Sequence, residues 1–137
     1  MKQLKRKKCP KNLYNIIESY LNDRFAILKT GNITISKKLD KGCPQGSALG
    51  PGLWNINYDN LLEIETPENS EIMGFCDDTK VLVFGKDIKQ IEIKANQILE
   101  EMSEWAKSAK LEFNSNKSAA VLITKVKKFT PPKIILK

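Results

Sequence analysis

Two adjacent carboxylates, Asp77 and Asp78, stand between the apolar runs 72–75 and 81–84. Carboxylates in such surroundings are costly to desolvate and call for a metal ion, a basic partner or water. An ordinary hairpin turn explains the pair equally well, because Asp is favoured in turns for the hydrogen bonds it makes to nearby backbone. Neighbouring side chains on an extended backbone point to opposite faces, so the two cannot both grip one ion squarely. A further carboxylate must then come from another strand. Two-metal phosphoryl transfer asks for that arrangement, with Mg²⁺ ions roughly 3.5–4 Å apart, bridged by shared carboxylates, activating a hydroxyl and neutralising the leaving pyrophosphate. Asp40 and Asp59 are present, but nothing in the sequence marks either as the missing partner.

A second candidate is the Gly- and Pro-rich stretch 42–51, GCPQGSALGP. Its glycines let the backbone approach a ligand closely, and the helix it opens begins with free N–H groups that favour phosphate. Gln45 adds an amide that both donates and accepts. A plain turn into a helix fits the same residues.

What is missing narrows the chemistry. The chain has no histidine, which excludes a Ser-His-Asp hydrolase, a Cys-His protease and a His-ligated zinc. Cys9, Cys43 and Cys76 form no CxxC pair, so neither a disulfide framework nor a zinc knuckle is indicated. Catalysis here would rest on carboxylates, lysines and backbone groups.

The formal charge of +7 over 137 residues is unevenly placed. Residues 1–11 hold six Lys/Arg and residues 117–137 hold six Lys, with no acid in either stretch. Between them eleven basic residues face sixteen acidic ones, a net of −5. Basic flanks around an acidic centre suit a protein that grips phosphates outside and metal ions inside; solvated ends around an ordinary domain fit as well. No run of ~18 apolar residues is present to cross a bilayer, and the basic start leads into no apolar signal core. A soluble, intracellular chain of one domain without membrane contact is expected.

These residues need elements to position them. Spacings of three and four among Leu13, Ile16, Ile17, Tyr20 and Leu21 predict an amphipathic helix over 10–24 that packs on a core. Residues 25–30 and 33–39 are β-prone around Gly31-Asn32, a pair that accepts positive φ, and predict a hairpin. A second helix starts with Pro51 in its first turn and carries Leu53, Trp54, Tyr58, Leu61 and Leu62 on one side. The runs 72–75 and 81–84 are apolar on both alternating faces, as in a strand pair at the middle of a covered sheet. Asp87 can cap a third helix to about residue 110, striped by Ile91, Ala95, Ile98, Leu99, Met102, Trp105 and Ala106. Residues 119–124 read as one more buried strand, and Pro131-Pro132 precede a last apolar stretch, 134–136.

Three runs together are distinctive. GCPQGSALGPGLWN, then GFCDDTKVLVFG, then LEFNSNKSAAVLIT resemble, in order and spacing, the middle of the reverse transcriptases of non-LTR (LINE-type) retrotransposons. CPKNLYNIIESYLNDR resembles the helix that precedes the loop in that family, so the resemblance covers nearly the whole chain. It implies an α+β fold, a palm-type antiparallel sheet with helices packed on one face, as an incomplete polymerase right hand. By the same resemblance Asp77 matches the metal-ligand aspartate of the F-x-D-D motif, Asp78 its supporting aspartate, and Phe75 its aromatic position. Gln45, Gly46 and Ser47 match the motif lining the incoming nucleotide and template. Lys117 resembles the downstream lysine that protonates or stabilises leaving pyrophosphate.

The resemblance further implies two Mg²⁺ ions, an RNA template, a DNA primer, dNTP substrates and a larger retrotransposon polyprotein acting in the nucleus. Two departures are mild: Cys76 stands where Ala is common, and Gly52 where Leu is common, a change costing about 1 kcal/mol of helix propensity. A third bears on activity. The first catalytic aspartate of the family is expected upstream of Met1 and the thumb after Leu136, leaving residues 1–137 as palm with part of the fingers, inactive alone. The competing expectation is a non-catalytic nucleic-acid-binding remnant of a retroelement.

Overall fold

The computed structural model describes residues 1–42 and 46–136, and divides into two compact units, residues 1–57 and 58–137. Its class is α+β.

The first unit begins with a short helix, α1 (Lys2–Arg6), and an amphipathic one, α2 (Lys11–Leu21). Leu4 and Tyr14 are its buried apolar residues. Tyr14 is ringed by cations, with Lys5 Nζ 5.4 Å and Lys11 Nζ 5.3 Å from its centroid, while its hydroxyl reaches Glu18 Oε1 at 3.2 Å. Aromatic faces attract ammonium groups through the ring quadrupole. The stripe expected to pack is only partly covered: Ile17, Tyr20 and Leu21 are half-buried, but Leu13 and Ile16 are exposed.

Strands β1 (Arg24–Thr30) and β2 (Ile33–Leu39) pair antiparallel from Arg24↔Leu39 to Thr30↔Ile33. The turn falls on Gly31-Asn32, where Gly31 takes φ +55°, a value that glycine adopts without a Cβ penalty. Phe25 and Ile27 lie on one face and Leu28, Ile33 and Ile35 on the other, all exposed. Helix α3 (Gly50–Leu62) follows, and the second unit begins within it, at Tyr58.

In that second unit β3 (Ser70–Phe75) and β4 (Asp78–Val83) form a hairpin in the register Ser70↔Val83 to Phe75↔Asp78. Helix α4 (Ile88–Ala109) follows. Asp87 caps it as expected: its carboxylate accepts from the Gln90 N–H at 2.8 Å. The other end closes in a Schellman arrangement, with Lys110 N–H to Lys107 O and Leu111 N–H to Ala106 O, and Lys110 in the left-handed region at φ 58°. The core of this unit holds Tyr58, Leu61, Ile72, Ala95, Ile98, Met102 and Ala106. None of the helices is long and apolar enough to cross a membrane among the described residues.

Two expectations are corrected. The strand pair 72–75 and 81–84 is not the middle of a covered sheet: the described strands form two separate two-stranded sheets. Only one face of the β3–β4 hairpin is covered, where Ile72 is buried and Val81 and Val83 are half-buried, while Met73, Phe75, Leu82 and Phe84 are exposed. An apolar run on both faces signals two covering layers, and only one is present among the described residues. The strand expected at 119–124 does not form either. Those residues have no regular structure, with Val121 and Ile123 84% and 93% exposed. A strand exists only by pairing its N–H and C=O groups, and no described strand lies beside it. The last stretch is instead held on α4 by side chains: Asn96 donates to Lys133 O and accepts from Ile135 N–H, and Glu92 accepts from Lys133 N–H.

Candidate active site

The two aspartates mark the tip of the β3–β4 hairpin. Phe75 and Asp78 close the ladder, leaving Cys76 and Asp77 as the two turn residues. Cys76 has φ 55°; positive φ at the first turn residue of a two-residue hairpin belongs to the primed turns, whose twist matches that of the strands. Asp77 therefore projects from the turn and Asp78 from the first position of β4, on the same face of the ladder as Phe75. Both carboxylates are exposed, and Phe75 is 79% exposed. The apolar runs do not bury the pair, so the desolvation expected for it is not found among the described residues.

What holds this tip comes from α3. Tyr58 is buried, and its hydroxyl lies 3.0 Å from Asp78 O and 2.7 Å from Thr79 Oγ1. A phenol has one proton; given to the Asp78 carbonyl, it leaves Thr79 to donate to the tyrosine oxygen. The ring rests where Gly74 has no side chain: a Cβ there would stand 2.6 Å from Tyr58 Oη and 2.8 Å from Cζ. Trp105 of α4 packs edge-on against the same ring with centroids 6.2 Å apart, and Phe113 lies 6.3 Å beyond Trp105. Trp105 is thus part of the packing, as its place in the stripe predicted. At the other end of the hairpin, Lys94 Nζ bonds the carbonyls of Glu68 and Phe84, clipping together the entry to β3 and the exit from β4.

The other candidate residues are distributed around the chain. Gly46 is exposed at φ 78°, a left-handed conformation favouring glycine. Ser47 accepts the Gly50 N–H at Oγ (2.9 Å) and so starts α3, with its own hydroxyl proton left to donate. Gln45 lies outside the described residues, with Cys43 and Pro44. Lys117 ends an exposed 3₁₀ turn, Ser115–Lys117, organised by Asn114, whose carboxamide accepts from the Asn116 N–H and whose carbonyl accepts from the Lys117 N–H and Ser118 hydroxyl. No ion pair joins Lys117 to either aspartate among the described residues. The structure thus unites Phe75, Asp77 and Asp78 at one tip.

A hard divalent cation such as Mg²⁺ takes an octahedron of oxygens, several of them from carboxylates or waters. Asp77 and Asp78 offer two carboxylates, and no group of three or more His, Cys, Asp or Glu able to hold a metal occurs among the described residues. The pair can contribute to such a site and does not complete one.

Sequence reasoning missed the role of Tyr58, Gly74 and Thr79 at this tip. One signal was available, since a glycine inside a strand often marks a close approach by another group.

The comparisons with known proteins agree with one another. Among curated relatives, the RNA-directed DNA polymerase from mobile element jockey of Drosophila melanogaster is 30% identical over 119 residues, 82% of this chain and 13% of the relative. The Retrovirus-related Pol polyprotein from type-1 retrotransposable element R1 of Bradysia coprophila is 26% identical over 122 residues, 88% of this chain and 12% of the relative. That of Nasonia vitripennis is 27% identical over 82 residues, 60% of this chain and 24% of the relative. The chain therefore spans a quarter or less of the length of these relatives. No solved structure matches it. The family model described as reverse transcriptase (RNA-dependent DNA polymerase) matches residues 1–132, and the chain belongs to that family, as a stretch of the reverse transcriptase domain of the non-LTR retrotransposon type.

Proposed function

We propose that these residues form the central part of a reverse transcriptase palm and, within the complete polymerase, take part in adding dNTPs to a DNA 3′-hydroxyl on an RNA template. The observation that carries this reading is the exposed Asp77-Asp78 pair at the hairpin tip, beside the aromatic Phe75. Paired carboxylates lacking a cation repel one another, and a divalent ion relieves them. In this reading Asp77 and Asp78 ligate Mg²⁺, together with a third carboxylate from outside the described residues. When bound, the metal supplies Lewis-acid stabilisation of charge on transferring phosphate.

The chain's own residues have separate tasks. Phe75 offers a flat apolar surface next to the carboxylates, Gln45, Gly46 and Ser47 line the nucleotide and template, and Lys117 supplies a proton or positive charge to leaving pyrophosphate. The uncovered Met73, Phe75, Leu82 and Phe84 support a larger sheet in the complete protein, with residues 1–137 as one portion of palm and fingers. RNA, DNA primer and the rest of the polyprotein are the partners on this reading.

Primer extension on an RNA template with Mg²⁺ tests it. The 137-residue chain alone should show no extension, a longer polymerase containing it should extend, and Asp77→Asn should abolish that extension. Unchanged extension in Asp77→Asn would sink the assignment.

The stretches 1–11 and 117–137, each with six basic residues and no acid, favour one alternative, binding of nucleic acid without catalysis through the basic ends. That reading requires affinity falling steeply with salt, by a log–log slope of roughly −0.7 to −0.9 per phosphate contact, and indifferent to Asp77→Asn.

A further inference from the structure

The tip that carries Asp77-Asp78 is a strained turn on a two-stranded ladder, and such a ladder is marginal alone. Cys76, a residue with a Cβ, sits at φ 55°, a conformation that persists only where its surroundings over-determine it. The surroundings are visible. Tyr58 approaches from α3, its hydroxyl joined both to the Asp78 carbonyl and to the Thr79 hydroxyl. Its ring fills the notch left by Gly74 and is backed by Trp105.

We propose that Tyr58 is a positioning residue for the Asp77-Asp78 pair, holding the turn so that both carboxylates are pre-arranged for a divalent cation. The proposal rests on the reading of those aspartates as metal ligands. Tyr58 acts through the main chain of Asp78 and the side chain of Thr79. Through these two contacts Tyr58 anchors the turn on α3. A turn held in this way meets the ion already ordered, whereas a looser turn must lose freedom as the ion binds, which weakens binding.

The test uses the full 137-residue chain and Mn²⁺, whose unpaired electrons broaden NMR signals close to the bound ion. Wild type should show broadening at residues 76–79 that disappears in Asp77→Asn. Tyr58→Phe keeps the ring and removes the hydroxyl. It should raise the Mn²⁺ concentration at half-broadening about fivefold, the weight of one net hydrogen bond, and speed amide exchange at Asp77, Asp78 and Thr79. Ile98→Val, which loosens the core at a residue 1% exposed, is the control for general destabilisation and should leave the half-point unchanged. If Tyr58→Phe fails to fold, Thr79→Val removes the hydroxyl on the other side of the contact and is judged by the same shift. An unchanged half-point in Tyr58→Phe, with Asp77→Asn still abolishing broadening, overturns the positioning role while sparing the metal reading. Equal shifts in Tyr58→Phe and Ile98→Val overturn it as well, because the effect is then general. No Asp77-dependent broadening in wild type overturns both.

Discussion

Replacing Gly74 by alanine is a one-carbon change whose sign depends on a single neighbour. From propensity alone it should help, since glycine within a strand costs roughly 0.5–1 kcal/mol relative to alanine. Gly74 does not take a positive φ, so its backbone gives no objection. The obstacle is Tyr58, with Oη 2.6 Å and Cζ 2.8 Å from the new Cβ. Ring carbon Cε1 stands nearer still, and carbon atoms at rest are about 3.5–4.0 Å apart, so the ring must withdraw by more than about an ångström. Overpacking of this kind costs about 1–3 kcal/mol. Withdrawal also lengthens the hydroxyl contacts to Asp78 O and Thr79 Oγ1, now 3.0 and 2.7 Å, each worth about 1 kcal/mol net. The balance is a loss of about 2–4 kcal/mol, after allowance for the propensity gain.

Urea unfolding followed by circular dichroism measures that loss. Tryptophan fluorescence adds a local probe, because Trp105 packs on the displaced ring. Tyr58→Ala, expected to cost about 3–5 kcal/mol itself, supplies the second arm of a double-mutant cycle. Once the ring is gone, Gly74→Ala should become neutral or stabilising by the propensity difference. Two results refute the reasoning: a Gly74→Ala protein as stable as wild type, or a penalty of the same size in the Tyr58→Ala background.

Other consequences can be checked by thermal or urea melts. Lys110→Gly places glycine at a Schellman position with φ 58°, and should stabilise by roughly 1 kcal/mol because the left-handed conformation then carries no Cβ penalty. Asp87→Ala removes the acceptor of the Gln90 N–H and should cost about 1 kcal/mol, whereas Asp87→Asn should cost less. Asp77→Asn alters an exposed turn carboxylate and should leave folding stability within roughly 0.5 kcal/mol, so any loss of extension activity in the complete polymerase reports on function rather than on folding.

What could be read in advance follows from how local the cause is. Helix α4 was legible because its stripe, its Asp87 cap and its length are local; observed bounds of Ile88–Ala109 lie within the span from the cap to about residue 110. The β1–β2 hairpin was legible for the same reason, since Gly31-Asn32 supplies the turn and the β-prone residues on either side supply the strands. Residues 119–124 failed because the cause is not local. Val121 and Ile123 satisfy every preference of a strand, but a strand is a relation between two segments, and the described residues supply no second one. The runs around Asp77-Asp78 failed in a related way: their composition correctly demands cover on two faces, and only the face carrying Ile72 receives it.

The site divides along the same line. The adjacency of Asp77 and Asp78 was legible at once, and with it the expectation that a further carboxylate is needed to hold a metal. The support of the pair was not deducible. Tyr58 stood in a stripe with Leu53, Trp54, Leu61 and Leu62, where its aromatic body explains its place and nothing announces its oxygen. An apolar stripe fixes which side of a helix turns inward, but which buried residue uses a polar end depends on what lies opposite. Here the carbonyl of Asp78 and the hydroxyl of Thr79 lie opposite, twenty and more positions along the chain, and Gly74 makes the approach possible. The unusual demand therefore falls on three residues chosen for different reasons: a glycine for its lack of volume, a threonine for its donor, and a tyrosine for an oxygen at the end of a rigid ring. Exchanging any one of them leaves strand and helix propensities nearly intact while loosening the turn that presents the carboxylates.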